Sequence, residues 1–163
     1  MPTGVLNDPA LITVPRDTGG TVILQDVVDM FARLYKGTAG SPVWVANHEI
    51  MPELMMMVDA GNNLVWQPNA RESTAGQLFG YPVYMTEKTP DVGTTGDLML
   101  CDFSKYAVAI GPDLYLDKNN TVGWYRDFSS YRCIARLDGA GLWSAPFQSR
   151  TGQLYSWCVA LGA

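Results

Sequence analysis

Charge is scarce in this chain. Only 17% of its 163 residues are Asp, Glu, Lys or Arg, below the quarter that a typical globular domain carries. The eleven basic residues are scattered, and the net charge is -5. With no basic stripe, nucleic-acid binding by phosphate neutralisation is disfavoured, and no sequence-specific nucleic-acid partner is expected. There is one histidine, His48, so a Ser-His-Asp or Cys-His arrangement would have to use it. His48 stands at a predicted strand-to-helix junction, where a capping or hydrogen-bonded surface role fits better. The three cysteines, Cys101, Cys133 and Cys158, form no CxxC pair, which removes a zinc site. Their odd number and apolar neighbours predict buried, reduced thiols. No run approaches the ~20 apolar residues that cross a bilayer, and no charged-then-apolar leader opens the sequence.

Other chemistry is also missing. There is no phosphate loop, dinucleotide fingerprint or Gly-x-Ser-x-Gly elbow. Asp117 to Thr121 has a superficial calcium-loop composition, but Phe128 stands where the bidentate Glu would be. Asp97 and Asp102 bracket an apolar run at strand ends, where Asp makes turns. The chain is read as not an enzyme, with no cofactor and no metal.

What is present is apolar. A hydrophobic content of 47% suffices for a core in one domain. Such low charge also predicts that part of the surface is covered by other subunits. The chain is organised around residues 77–110. Three apolar runs, Leu78 to Met85, Leu98 to Cys101 and Tyr106 to Ile110, are punctuated by Pro90, Gly93, Gly96 and Asp102 and read as strands. The first should start at or just after Pro82, since proline cannot donate to a ladder.

Residues 1–20 form a Pro- and Gly-rich lead-in with one short strand at Leu11 to Val14. Leu24, Val27, Val28, Phe31, Leu34 and Tyr35 fall on one helical face, with Thr21 as N-cap and Gly37 as stop. Pro42 to Ala46 is a short strand around Val43-Trp44-Val45, and Asn47 caps a second helix that runs through Glu49, Pro52 and Leu54 to Val58, with Pro52 in its first turn. The run Met55-Met56-Met57 faces several directions, serving both core and a subunit contact. A turn at 60–63 leads to Trp66 and a polar loop, Gln67 to Gly76. Gly111 to Gly123 reads as a loop, Trp124 to Leu137 as one long strand, and Asp138-Gly139 as a hairpin turn returning through Ala140 to Ala145. A last alternating strand is predicted from Gln153 to Ala160. The class is α+β.

Several of these segments resemble the major capsid proteins of tailed bacteriophages. The resemblance is carried by Leu78-Phe79-Gly80-Tyr81-Pro82-Val83, Thr86-Glu87, Gly96-Asp97 and Asp102-Phe103-Ser104-Lys105-Tyr106. Supporting segments are Pro2 to Asn7 and the stretch from Tyr131-Arg132 through Asp138-Gly139 to Pro146-Phe147. It implies a central β-sheet with two flanking helices and a long-stranded antiparallel peripheral lobe. The corresponding division is a lead-in (1–20), an axial-type domain (21–123) and strands of the peripheral and axial sheet (124–163). The family's N-terminal arm, extended loop and spine helix have no counterpart, so the chain resembles the C-terminal portion of a longer protein or a natural short relative.

The function so implied is a structural subunit, or fragment, of an icosahedral shell. It would assemble into pentamers and hexamers around packaged DNA, in the virion and in host cytoplasm during assembly. Expected partners are copies of itself or of the full-length capsid protein, with scaffold, portal or decoration proteins as further candidates and no membrane. Asn62, Asn63, Trp66, Met56 and Met57 are the expected subunit-interface residues. Alternatives are an encapsulin-like compartment subunit, a free-standing capsid-like domain that interferes with phage assembly, or a small ligand-binding domain built around His48.

Overall fold

In the computed structural model, which describes residues 2–37, 40–59, 61–68, 76–111, 114–121 and 123–163, the apolar runs assemble into one mixed sheet and three small ribbons. In chain order the elements are β1 (Ile12–Val14), α1 (Leu24–Arg33), β2 (Val43–Ala46), α2 (Met51–Met56), β3 (Gln67–Pro68), β4 (Gly76–Leu78) and β5 (Tyr81–Met85). There follow β6 (Leu98–Cys101), β7 (Tyr106–Ile110), β8 (Tyr115–Asn119), β9 (Ser130–Ile134), β10 (Leu137–Gly141), β11 (Phe147–Gln148), β12 (Leu154–Tyr155) and β13 (Cys158–Leu161).

The large sheet has the order β1-β13-β6-β2-β5-β4-β3. β1 runs parallel to β13 and β2 parallel to β5, while the other neighbours are antiparallel. Alternate residues point to opposite faces. Leu98, Leu100, Val159, Leu161, Trp44 and Val83 join Val27, Met30 and Leu34 from the α1 region, together with Leu54, in the main core. Cys101 and Cys158 face a second cluster with Ala10 and Trp157, closed by Val5, Leu11, Tyr106 and Trp143. The lead-in is therefore the layer that covers the sheet's second face. Trp44 is fully buried, and its indole Nε1 donates to the Leu78 carbonyl at 3.0 Å, tying β2 to the hairpin beyond it.

That hairpin explains Pro82. Phe79 and Gly80 both have positive φ (49° and 80°), the primed two-residue turn that matches strand twist. Leu78 and Tyr81 close it, so Gln77 and Pro82 form the next pair, which in such a ladder exchanges no hydrogen bonds. The β2 ladder starts only at Val83. The strand thus starts at Tyr81, one residue before Pro82 rather than at or just after it, and the proline occupies a position that needs no donor.

Several expectations are corrected. Thr21 does not cap α1: the N-cap position is Ile23, and Asp26 in the first turn accepts from Ile23 N through Oδ2 at 3.0 Å and from Asp17 N through Oδ1 at 2.9 Å. The helix ends at Arg33, ahead of Gly37, because Leu34 turns extended and bridges Ser156. Tyr35 N donates to Ser156 O, and Ser156 N to Arg33 O. The segment read as one long strand from Trp124 instead holds a 3-10 turn (Trp124–Arg126), a left-handed Asp127 and then β9. Asp138-Gly139 is no turn and Ala140 to Ala145 no separate returning strand: both residues lie inside β10, paired with Ala109 and Val108 of β7. A Cβ on Gly139 would lie 2.8 Å from the Tyr106 ring, so close ring packing is what calls for glycine there. The presumed loop after Gly111 contains β8, paired with β9 across the Arg132–Asp117 ion pair. The final strand is split at Ser156, and β13 is buried on both faces rather than alternating. Cys101 and Cys158 are buried, but Cys133 is exposed.

Candidate functional site

Among the described residues no three metal-ligating side chains cluster, and no helix is long and apolar enough to cross a membrane. His48 lies exposed on a 3-10 turn (His48–Ile50) whose N-cap is Asn47. The Asn47 side chain accepts from Glu49 N at 3.1 Å and donates to the carbonyls of Thr89 and Pro90. Asp97 and Asp102 do not form a carboxylate pair. Asp102 accepts from Ser104 N as a turn-maker. Asp97 is fully buried and binds Arg16, with Nη2 2.6 Å from Oδ2.

Grooves mark the surface of the described residues in several places. One, about 630 Å³, runs along the open edge of β1 and is lined by Ile12 to Pro15, Asp17, Asp29, Arg33 and residues 153–155. A second, about 320 Å³, lies between the end of α1 and the β11–β12 ribbon. There Tyr35 packs edge-on against Trp143 and Phe147, and Lys36 Nζ sits 3.5 Å from the Phe31 ring centroid. A third, about 300 Å³, is formed by Ala109 to Gly111 and Arg136 to Asp138. His48 lines none of these three.

The notable surfaces are apolar. In the β7–β10 ribbon, Ile110 pairs with Leu137, and Val108 with Gly139, on one face. Ala107, Ala109, Asp138 and Ala140 make up the other. Ile110 is 79% exposed, and Val108 and Leu137 are exposed with it. In the β8–β9 ribbon Tyr115, Leu116 and Tyr131 are likewise exposed. A two-stranded ribbon with an uncovered apolar face is marginal on its own in water, and contiguous patches of this kind mark contact sites.

A second patch surrounds α2. Met56 is 78% exposed, with Met55, Val58 and Leu64 exposed beside it, and Val58 bridges Leu64. The turn between them is held by Asp59, whose Oδ1 accepts from Gly61 N and Asn63 N at 2.8 and 2.9 Å, with Asn62 left-handed. These two backbone bonds and the Asn63 side chain hold the Asp59 carboxyl below its ordinary value. Of the five residues expected at an interface, Met56, Asn62 and Asn63 are on this surface. Met57 and Trp66 instead pack into the core, Trp66 at 4% exposure with its indole nitrogen lacking a hydrogen-bond partner among the described residues. Residues 69–75 of the adjoining loop lie outside the described residues. The sequence reading placed a strand at Tyr106 to Ile110 and one across β9 but missed β8 and the exposure of these ribbons; the signal was the aromatic and aliphatic residues that recur between Leu114 and Leu142, read there partly as loop.

No curated protein sequence matches significantly. Among solved structures, the capsid of the native GTA particle superposes with TM-score 0.70 at 20% identity, over 99% of this chain and 56% of that one. The capsid of the empty GTA particle gives 0.68 at 19%, over 99% and 57%. Gordonia phage Cozz gives 0.59 at 11%, over 97% and 50%. This chain thus spans little more than half the length of the structures whose fold it shares. A model of the phage capsid family matches residues 1–149. With nine-tenths of its length covered by that match, the chain belongs to the phage capsid family.

Proposed function

We propose that this chain is a structural subunit of a phage-type capsid shell, acting through contacts with copies of itself or of a longer capsid protein. The observation that carries this reading is the pair of uncovered apolar surfaces, the ribbons of residues 106–142 and the α2 patch, in a chain of that family. Surfaces so apolar favour burial at roughly 25 cal/mol per Å² removed from water. Specificity comes from shape along subunit edges rather than from a single pocket.

In this reading the molecule has a sheet body and a ribbon lobe. Met56, Asn62 and Asn63 meet a neighbour directly, joined by Met55, Val58 and Leu64. Met57 and Trp66 support that patch from beneath. The product is a virion component, made in the host cytoplasm, with no catalytic role. Scaffold, portal and decoration proteins are further partners.

Molar mass by light scattering after size exclusion, over a range of protein and salt concentrations, tests the proposal. Pentamers, hexamers or larger closed species are expected with the chain or with a longer relative added. A monomer under every condition, with no incorporation into a longer relative's shells, would sink it.

A further inference from the structure

Charge is unevenly divided along the chain. Before Lys105 there are five basic and twelve acidic residues, a net of -7; from Lys105 onward there are six basic and four acidic, a net of +2. The second group includes the β8–β9 ribbon. Its tip is the 3-10 turn Trp124–Arg126, followed by Asp127 in the left-handed conformation. Tyr125 is 81% exposed, and the Arg126 guanidinium carbon stands 5.6 Å from its ring centroid. Gly123 is buried against the Phe128 ring, where a Cβ would come within 2.7 Å. The tip is thus a closely packed turn that presents a stacked tyrosine and arginine to solvent. These are residue types that dominate binding energy at interfaces.

The acidic body carries a fitting recess. The groove along β1 has Ile12, Val14, Leu154 and Tyr155 for apolar walls and Asp17 and Asp29 for charge. Its own cation, Arg33, is already engaged, Nη1 donating to Gln153 Oε1 at 2.7 Å. Asp29 has one oxygen taken by Gln25 Nε2 at 3.0 Å. At about 630 Å³ the groove lies within the roughly 300–1,000 Å³ that suits a small organic group, so it can admit an aromatic ring with a guanidinium beside it.

We propose that the Tyr125-Arg126 knob of one copy seats in the Asp17/Asp29 groove of a second copy. The ring lies against Ile12, Leu154 and Tyr155, and the guanidinium faces the two carboxylates. Knob and groove are different surfaces, so a single such contact leaves one knob and one groove free on the pair, and its repetition builds rings or open chains. The inference rests on the self-association proposed above and names the surfaces that make it. Charge complementarity selects a second copy as the occupant, and attraction across the contact weakens as salt rises.

The test uses R126E and D29K chains, with Y125A as a third variant, each checked by circular dichroism melting. Association of the parent chain is read by sedimentation velocity at low and high salt. Each variant alone should weaken association by about 30-fold or more, the loss typical of a central interface residue. An equimolar mixture of R126E and D29K should restore it, because the reversed knob then meets a reversed groove. A role confined to one chain's own fold cannot be rescued in trans. If the parent associates but the variants match it, or if the mixture fails to recover, this contact is wrong while the shell reading stands. A parent that stays monomeric up to roughly 1 mM, where binding is worth only about 4 kcal/mol, removes this contact and counts against the self-association it rests on.

Discussion

Removing one partner of the buried Arg16–Asp97 pair should be among the most damaging single changes in this protein. Both side chains are fully inaccessible. Arg16 donates from Nε to Gly162 O at 3.1 Å, from Nη1 to Thr21 O at 2.8 Å and from Nη2 to Asp97 Oδ2 at 2.6 Å. Asp97 also accepts from Gly93 N at 2.8 Å and Leu98 N at 2.7 Å. One guanidinium therefore fastens the segment after β13, the approach to α1 and the turn before β6. Asp97→Ala leaves that guanidinium buried without a counter-charge, at a cost of about 3–5 kcal/mol. That is a large share of the ~5–15 kcal/mol that stabilises an ordinary domain. The melting temperature should fall by roughly 6–20 °C, at ~2–4 °C per kcal/mol for a chain of this size. The double variant Arg16→Met/Asp97→Leu removes both charges and the desolvation they incur. It should recover about half of the summed single losses, since Gly93 N and Leu98 N still lose their acceptor. Urea titration of the parent, both single variants and the double variant gives the coupling energy. Single losses under ~1 kcal/mol, or a double loss equal to the sum, would refute the reasoning.

Four further outcomes are expected. Native protein should react through one thiol, Cys133, with an aromatic disulfide reagent, and through all three only after denaturation; more than one fast thiol would contradict the burial of Cys101 and Cys158. Burial pushes the Cys158 thiol from 9.0 up to about 12 and lifts Cys101 as well. Below pH 9 both thiols keep their protons folded or unfolded. Above it the unfolded chain ionises first, so stability should fall by about 1.4 kcal/mol per pH unit for each thiol, and urea midpoints that stay flat from pH 9 to 11 would contradict this. Asp26→Ala strips acceptors from Ile23 N and Asp17 N and should cost about 1–2 kcal/mol by denaturant titration, whereas Gln25→Ala on the exposed face should cost far less. Gly80→Ala has open space for its methyl but a φ of +80°, so its loss of about 1–2 kcal/mol should come from the backbone alone.

The sequence made the sheet's centre legible because burial there follows simple rules. Leu98–Cys101, Val43–Ala46 and the apolar face of α1 appear where periodicity and turn residues put them. The ends of elements were decided elsewhere. Leu34 carries helical periodicity but is drawn out of α1 by Ser156, more than a hundred residues away. Asp138-Gly139 has a hairpin composition, yet its glycine answers to the Tyr106 ring rather than to a turn. β8 was hidden by Asp117, Lys118 and Asn119, polar residues that suit an exposed ribbon and one of which pairs with Arg132. At the candidate site, Met56, Asn62 and Asn63 were placed on the surface as composition suggests, whereas Trp66 was drawn inward. The Arg16–Asp97 pair left no local trace, because nothing near either residue announces a partner 81 positions distant.

The position of β13 sets a schedule for synthesis. It lies between β1 and β6, although residues 158–161 are made long after both. At ~5–20 residues per second, about 3–12 seconds separate the emergence of β6 from that of β13. During that interval β1 has no neighbour in the sheet and β6 has a bare edge, the kind of template on which strands of other chains can pair. Slower translation of this stretch lengthens the exposure. The yield of correctly folded subunit should therefore depend on how fast the ribosome crosses residues 102–157.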